Sequence, residues 1–486
     1  MKILILQLAR LGDIYLSRPA IQALKRANPQ AQITLLTRPK FRAAASGLEA
    51  VHEIIELPTH DLFAPLVQDI MDVPAAHARL SEFIRELKTK NFDQIINLSF
   101  SPASSHLAHL LEPDGEKVRG YTRTPDGFLS IPDDMSAYFY AQVGPGKPNR
   151  YHLAEIFGTL CGVDLTEADW HAGKMENYVA PMKSPFIVCH IGASEEQKAL
   201  SAEKWISTFG HFRSLNATPI VLIGSEAESA IADTIMSSSP TNSIVNLVGK
   251  TTLPQTMALL RQSVMLVGAD SAPMHMASLT KTRCLNLSVG RVNFWETGPR
   301  AMGSWVLRAN SEGDLPSDRV SRAMAAMVEK LRPELGIITV QEGAPSYSGL
   351  FPKEAEFHWK LTQAVYQGSD FPHPINDGFW QAHEQLVQIN HFIMEQLQAL
   401  QDGARLEEKA GFIDRGEEVI AAVAKLVPAW GPVIRWYQTE KIRIGPGNAQ
   451  QVLNRTCEIQ LLLQQVLDLY SEMKSIQAPG VESEAP

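Results

Sequence analysis

Residues 2–19 read KILILQLARLGDIYLSRP, and this stretch decides the fold. Lys2 to Leu8 is a short apolar run, the mark of a buried strand. Ala9 to Gly12 interrupts it. A helix is then expected from near Ser17, with Pro19 in its first turn, where a missing N–H costs little. Asp13 falls in the turn, directly after Gly12, a residue that lets backbone come close to a ligand. In open α/β sheets the carboxyl end of the first strand is where ligands bind.

Outward from this stretch, strands and helices alternate. Gln32–Leu36, Glu53–Leu57 and Gln94–Leu98 read as strands, and Ala76–Lys90 as a helix with Leu80, Phe83, Ile84 and Leu87 at helical spacing. From Pro113 to Lys147 the pattern weakens, and irregular loops reaching over a cleft are expected there. A helix over Tyr151–Leu160 leads to a boundary, with a linker at Pro181–Pro185. A second alternating unit follows. Its strands are Phe186–His190, Pro219–Ile223, Val264–Val267 and Cys284–Ser288. Its helices are Glu203–Phe212, Ala227–Met236, Pro254–Arg261, Pro273–Leu279 and Ser317–Leu331. Residues 1–180 and 181–340 are thus expected to be two doubly wound α/β domains with the carboxyl ends of both sheets facing one cleft.

The remainder, 341–486, reads as a helical extension with a disordered end from Gln477. Leu386, Ile389, Ile393, Leu397 and Leu400 make one apolar face. A second helix is expected over Arg405–Leu426. A third covers Gln450–Met473, with Leu453, Cys457, Leu461 and Leu467 as its apolar positions. A bundle packed within the chain is the simpler reading; an exposed stripe would instead mark a partner surface.

Bulk properties narrow the function. The net charge of −9 argues against a nucleic-acid binder. Arg10, Arg18, Lys25 and Arg26 form one local basic group, expected to be a solvated helix face with one functional member. The four cysteines are far apart, so no metal-binding spacing exists, and Cys189 and Cys284 sit in apolar runs as core residues. These features suit a reducing, cytoplasmic setting. No run approaches the roughly 20 apolar residues of a membrane span.

Four clusters fall at strand ends. In Arg10–Asp13 the carboxylate suits a general base, or simply a helix cap. The run lacks the three glycines of a dinucleotide fingerprint, which disfavours an NAD-dependent enzyme. In His190–Lys198, small residues permit close approach to phosphate. Ser194 can donate to it and Lys198 can neutralise it, although an ordinary loop with a solvated lysine reads the same way. Glu228, in GSEAE at 224–228, suits a ribose diol or a helix start. In 268–275, GADSAPMH, Asp270 or Ser271 can cap a helix whose N–H groups make an anion site. His275 adds a donor there, or is a satisfied buried histidine.

Together these clusters resemble the ADP-heptose:lipopolysaccharide heptosyltransferases, glycosyltransferase family nine. The resemblance is carried in order by RLGDIYLSRPAIQALKRANPQAQITLLT, GASEEQKALSAEKW, LVGKTTLPQTMALL, GADSAPMHMASL and NFWETGPRAMGSWVL, over about residues 1–310. It implies a GT-B fold and inverting transfer of heptose from ADP-heptose to a lipopolysaccharide core or related surface glycan. No metal or cofactor is implied, because the ADP-sugar is the donor substrate. Asp13 would be the base, with Gly12 beside it in the site. Lys198, Ser194 and the N–H groups from Ser271 through Ala272 and Pro273 to Met274 would hold the departing diphosphate. Glu228 would hold the ribose, and Asp270 and His275 would contact sugar or phosphate. Ala272 departs from the family's usual glycine, and the extension lies outside the pattern. A glycolipid acceptor would bring peripheral contact with the cytoplasmic face of the inner membrane. Alternatives are another nucleotide-sugar donor, a protein acceptor, or a non-catalytic scaffold acting through the tail. The lack of a cysteine cluster weighs against the protein acceptor.

Overall fold

A computed structural model describes residues 1–182, 185–193, 195–238, 243–341, 344–347 and 352–477. The chain divides into two compact units. The first takes residues 1–122, 144–146 and the chain from 150 through the second sheet; the second takes 123–143, 147–149 and the chain from 351.

The first unit holds both sheets. In the first sheet the spatial order is Glu53–Glu56, Gln32–Thr37, Lys2–Leu6, Gln94–Asn97, Val118–Arg119, and every pairing is parallel. Lys2–Leu6 occupies the centre, and Ile3 to Leu6 are wholly buried, as an uninterrupted apolar run requires. The second sheet runs Ile244–Asn246, Ile220–Ile223, Ile187–His190, Met265–Ala269, Cys284–Val289, Trp305–Ala309, with Ile338–Gln341 and Ala344–Tyr347 added antiparallel at the edge. In each sheet the strand order reverses beside the first strand. Lys2–Leu6 lies between the strands at 32 and 94, and Ile187–His190 between those at 220 and 265. Such switch points leave a crevice at the carboxyl ends, which is where a ligand fits.

Helices cover both faces. On Ala202–Leu215, Trp205, Phe209 and Phe212 recur at helical spacing and are buried against the second sheet's core. The Ser321 hydroxyl, on Ser317–Val328, lies 2.7 Å from the Thr208 carbonyl and 2.6 Å from the Ser317 carbonyl, where these two helices meet. The first helix spans Leu11–Ala27 and so begins six residues before the expected start near Ser17. Leu11, Gly12 and Asp13 are its first turn, because the Asp13 carboxylate accepts the Arg10 N–H at 2.9 Å and caps it.

The second unit is mainly helical and built from three separated stretches of chain. Lys353–Gln367, Asp377–Gln401, Leu406–Leu426, Gly431–Arg443 and Ala449–Gln477 surround a core in which Phe379 stacks on Trp430 at 4.4 Å. Leu386, Ile393 and Leu397 point into that core, so the stripe is covered by the chain itself. Leu461, expected inside, is exposed, and Leu463 takes the buried position. A buried polar ladder ties three helices: Tyr437 donates to Gln460 at 2.8 Å, Gln460 to Asn390, and Asn390 to Gln464 at 2.6 Å. The segment 123–143, expected as loop, belongs to this unit. It carries a helix, Asp134–Gln142, started by the Asp133 side chain accepting the Ser136 N–H. Gln142 donates to the Pro432 carbonyl at 2.9 Å, and Tyr138 meets Tyr366 edge-on at 5.0 Å. The sequence end beyond Gln477 and positions 183–184 of the expected linker lie outside the described residues.

Among the described residues, no single helix is long and apolar enough to cross a membrane.

Candidate active site

A cavity of about 630 Å³ opens between the two sheets of the first unit. Its walls include Arg10, Gly12, Asp13, His190, Lys198, Glu228, Asp270, Ser271, Ala272, Pro273, His275 and Thr297. Nine of the expected residues therefore meet in one place. Met274 does not; its side chain is fully buried in the core. Ser194 lies outside the described residues.

The turn that delivers Asp13 is held from below. Buried Gln7 donates to the Ser17 hydroxyl at 2.8 Å, and the Leu8 N–H donates to the Ser99 hydroxyl at 2.7 Å. Asp13 spends one carboxylate oxygen on the Arg10 N–H. Burial raises its pKa above the ordinary 3.8, opposed by that N–H and by the Arg10 charge. Of the basic group near it, Arg10 and Arg26 are exposed and Lys25 is half-buried, as on a solvated face, and Arg18 is the exception. Arg18 is wholly buried and donates to the carbonyls of Ala44, Ser46 and Ala172, while Arg26 pairs with Asp169 at 2.9 Å. Arg10 reaches Glu195 at 2.9 Å, and Glu195 also meets Lys198 at 3.4 Å. These two cations hold the Glu195 carboxyl below its usual range.

Two glycines also make room for neighbouring side chains. A Cβ on Gly12 would stand 3.1 Å from the His275 ring, so Gly12 makes room for an imidazole from the second sheet's side. A Cβ on Gly192 would stand 2.7 Å from the Glu228 carboxylate. Glu228 itself accepts from the Ser225 N–H and hydroxyl, both at 2.6 Å, so its helix-start role is realised as well.

The helix Ala272–Leu279 begins with Ser271 at the cap position, yet neither Asp270 nor Ser271 caps it with a side chain. The Ser271 hydroxyl instead lies 3.1 Å from His190 Nδ1 and 3.2 Å from the Ala269 carbonyl. Pro273 has no N–H, and the Met274 N–H bonds the Ser271 carbonyl at 2.9 Å. The backbone donors this helix start can offer are those of Ser271 and Ala272.

Buried Asp270 is the most perturbed acid of the site. Burial lifts its carboxyl from 3.8 to about 6, while the Thr297 hydroxyl and Lys198 oppose the rise. His275 is buried with Nδ1 unpartnered among the described residues, not satisfied as expected. Burial pulls His275 and His190 down to about 4, so both are neutral at pH 7. Thr297 received no role in the sequence reading. Its only signal was its place in a segment ending Thr-Gly-Pro, and its contact with Asp270 spans 27 positions. Among the described residues no group of histidine, cysteine or carboxylate side chains is placed to hold a metal ion.

Comparison with known proteins bears on the fold of the two-sheet unit. The profile of glycosyltransferase family 9 (heptosyltransferase) matches residues 80–299. Lipopolysaccharide heptosyltransferase 3 of Escherichia coli K12 is 24% identical over 297 residues, 57% of this chain and 79% of that one. A family 9 glycosyl transferase from Veillonella parvula superposes with a TM-score of 0.52 at 17% identity, covering 68% of this chain and 97% of its own. The E. coli heptosyltransferase WaaC, solved with ADP, gives 0.51 at 17% identity, covering 67% and 100%. Both place the two-sheet unit in the GT-B fold. With the five sequence segments in order and the fold, the two-sheet unit is similar to glycosyltransferase family 9, the heptosyltransferases, and the chain carries a helical extension beyond that likeness.

Proposed function

We propose that the protein transfers a heptose from ADP-heptose to a hydroxyl of a lipopolysaccharide core or related surface glycan, by single displacement with inversion and without a metal. One observation carries this reading: Asp13 from the first sheet's side and Lys198, Glu228 and Asp270 from the second line the same cavity.

In the proposed step the acceptor oxygen bonds to the anomeric carbon as the bond from that carbon to the diphosphate oxygen breaks. The acceptor proton passes to Asp13, and the bonding electrons leave on ADP. A desolvated carboxylate with a raised pKa is a stronger base than an exposed one. Lys198 and the N–H groups of Ser271 and Ala272 face the charge that grows on the diphosphate, and donors fixed beforehand lower the barrier most. Glu228 accepts from the ribose. Outside the cavity lining, Arg38 and Lys40 stand 4.6 and 4.9 Å from the Phe41 ring; Arg38 donates to the Ala9 carbonyl, and neither meets a carboxylate among the described residues. Such uncompensated cations suit an acidic saccharide. A glycolipid of this kind would place the enzyme at the cytoplasmic face of the inner membrane.

Calorimetry with ADP-heptose, ADP, UDP and GDP in chelator, alongside a transfer assay on rough-type lipopolysaccharide, tests the reading. Wild type should bind the ADP species without metal. Asp13→Asn should bind them equally and lose transfer by at least a hundredfold. Surviving transfer would remove Asp13 as base, and preference for UDP or GDP would discard the heptose donor.

A further inference from the structure

Within the cleft, one contact separates the sugar end of a donor from its nucleotide end. Asp270 follows the strand Met265–Ala269 and is buried. One of its oxygens, Oδ2, accepts from the Thr297 hydroxyl at 3.0 Å. The other, Oδ1, is buried with no partner among the described residues. A buried carboxylate oxygen left unpaired is unfavourable, and a ligand hydroxyl that donates to it removes that cost.

Thr297 is well placed to fix the carboxylate. It ends the short helix Phe294–Thr297, whose start is held by the Asn293 side chain accepting the Trp295 N–H. The next residue admits nothing larger than glycine, because a Cβ on Gly298 would lie 2.3 Å from the Phe294 carbonyl. The Gly298 carbonyl in turn meets His152 Nε2 at 3.1 Å. Thr297 is therefore presented from a braced turn. Its single proton has two acceptors in range, Asp270 at 3.0 Å and the Asn293 carbonyl at 3.4 Å, and the nearer, charged one takes it.

We propose that Thr297 is a positioning residue: by holding Oδ2 of Asp270 it presents Oδ1 to a hydroxyl of the donor's sugar, and so sets affinity for the sugar and not for the nucleotide. This rests on the donor reading of the cleft given above. Lys198, Glu228 and the helix start serve the ADP portion, so a loss confined to the sugar is the signature. Burial already biases Asp270 toward protonation, and losing the Thr297 donor would bias it further. The charged and titratable groups acting on it are Lys198, Asp13 and Glu195, with His190 reaching the neighbouring Ser271.

The test is calorimetry of ADP and ADP-heptose on the full chain as wild type, Thr297→Val and Thr297→Ser, between pH 5.5 and 8. Thr297→Val keeps the shape and removes the donor. It should weaken ADP-heptose about tenfold at pH 7 while ADP stays within twofold, the size expected for one hydrogen bond to a charged group. Thr297→Ser should restore binding to within about threefold. The acid-side loss of ADP-heptose affinity should also begin at higher pH in Thr297→Val. Equal affinities in all three proteins would overturn the proposal. So would parallel loss of ADP and ADP-heptose in Thr297→Val, or failure of Thr297→Ser to rescue. Wild type that binds no ADP species would reject the donor reading itself, a result distinct from any of these.

Discussion

Asp270 illustrates the conflict between stability and chemistry at the level of a residue. Its folded carboxyl titrates near 6 against 3.8 when unburied. The folded state therefore holds the proton more tightly than the unfolded state, and stability falls as pH rises from about 4 through 6. Above that window the ionised, buried group destabilises by up to about 3 kcal/mol, at roughly 1.4 kcal/mol per pKa unit. Asp270→Asn, which cannot ionise, should thus raise the urea midpoint at pH 7.5, and the gain should vanish at pH 4. The same protein should bind ADP-heptose more weakly. A midpoint that is equal or lower at pH 7.5 would mean that the carboxylate is better compensated than its surroundings suggest. His275 and Gly12 show a second residue-scale rule. The glycine reads in sequence as a place for a ligand, and in space it is the recess that admits an imidazole.

Among elements, what was legible in the sequence is what local pattern controls. The run Ile3–Leu6 announced a central strand because a strand buried on both faces has no polar positions to spare. Asp13, Lys198, Glu228 and Asp270 were legible as cleft-lining residues because each lies after such a run, and the switch-point rule turns that position into a cleft position. Thr297 was not, since its partner lies in another strand–helix unit. The helix start at Leu11 was missed because Asp13 was read as a residue of the turn before the helix, whereas its carboxylate reaches back to the Arg10 N–H from inside the first turn. Leu461 was misplaced because Leu461, Leu462 and Leu463 are adjacent, and periodicity alone does not say which of three faces inward.

The tail helices allow a sharper element-level test. A Cβ on Gly416 would lie 2.5 Å from Ile393 Cγ1, where Asp377–Gln401 and Leu406–Leu426 come closest. Replacing a helical glycine by alanine normally gains about 1 kcal/mol. Overpacking a closed core loses about 1–3 kcal/mol. Ile393 is wholly buried, so the second effect should win, and Gly416→Ala should lower the melting temperature by several degrees. Adding Ile393→Val should recover part of the loss, a coupling that a double-mutant cycle reads directly. Strict additivity would show that the helices part without strain.

For the whole molecule, three parts divided at 180 and 340 were expected; the chain packs as two compact units, one with both large sheets and one with the extension. The tail forms its own core together with residues 123–143, a pairing that no local pattern announces because the stretches are separated by the whole second sheet. Deleting residues 351–486 should therefore not yield a tidy two-sheet enzyme. Ala137, Tyr138 and Gln142 are buried in the intact chain, and Gln142 would lose the Pro432 carbonyl that satisfies it. The shortened protein should aggregate or melt at least ten degrees lower, as size-exclusion chromatography and calorimetry would show. A soluble, equally stable truncation would make the 123–143 helix self-sufficient.

The same discontinuity has a consequence in time. During synthesis the helix Asp134–Gln142 leaves the ribosome long before its partners, with about two hundred residues intervening. At roughly 5–20 residues per second that is a wait of about 10–40 s. Over this interval Tyr138 lacks the Tyr366 ring and Gln142 the Pro432 carbonyl, while the two sheets have already begun to form. The nascent chain is then a client for holding chaperones, and slowing translation between the two stretches would lengthen that exposure.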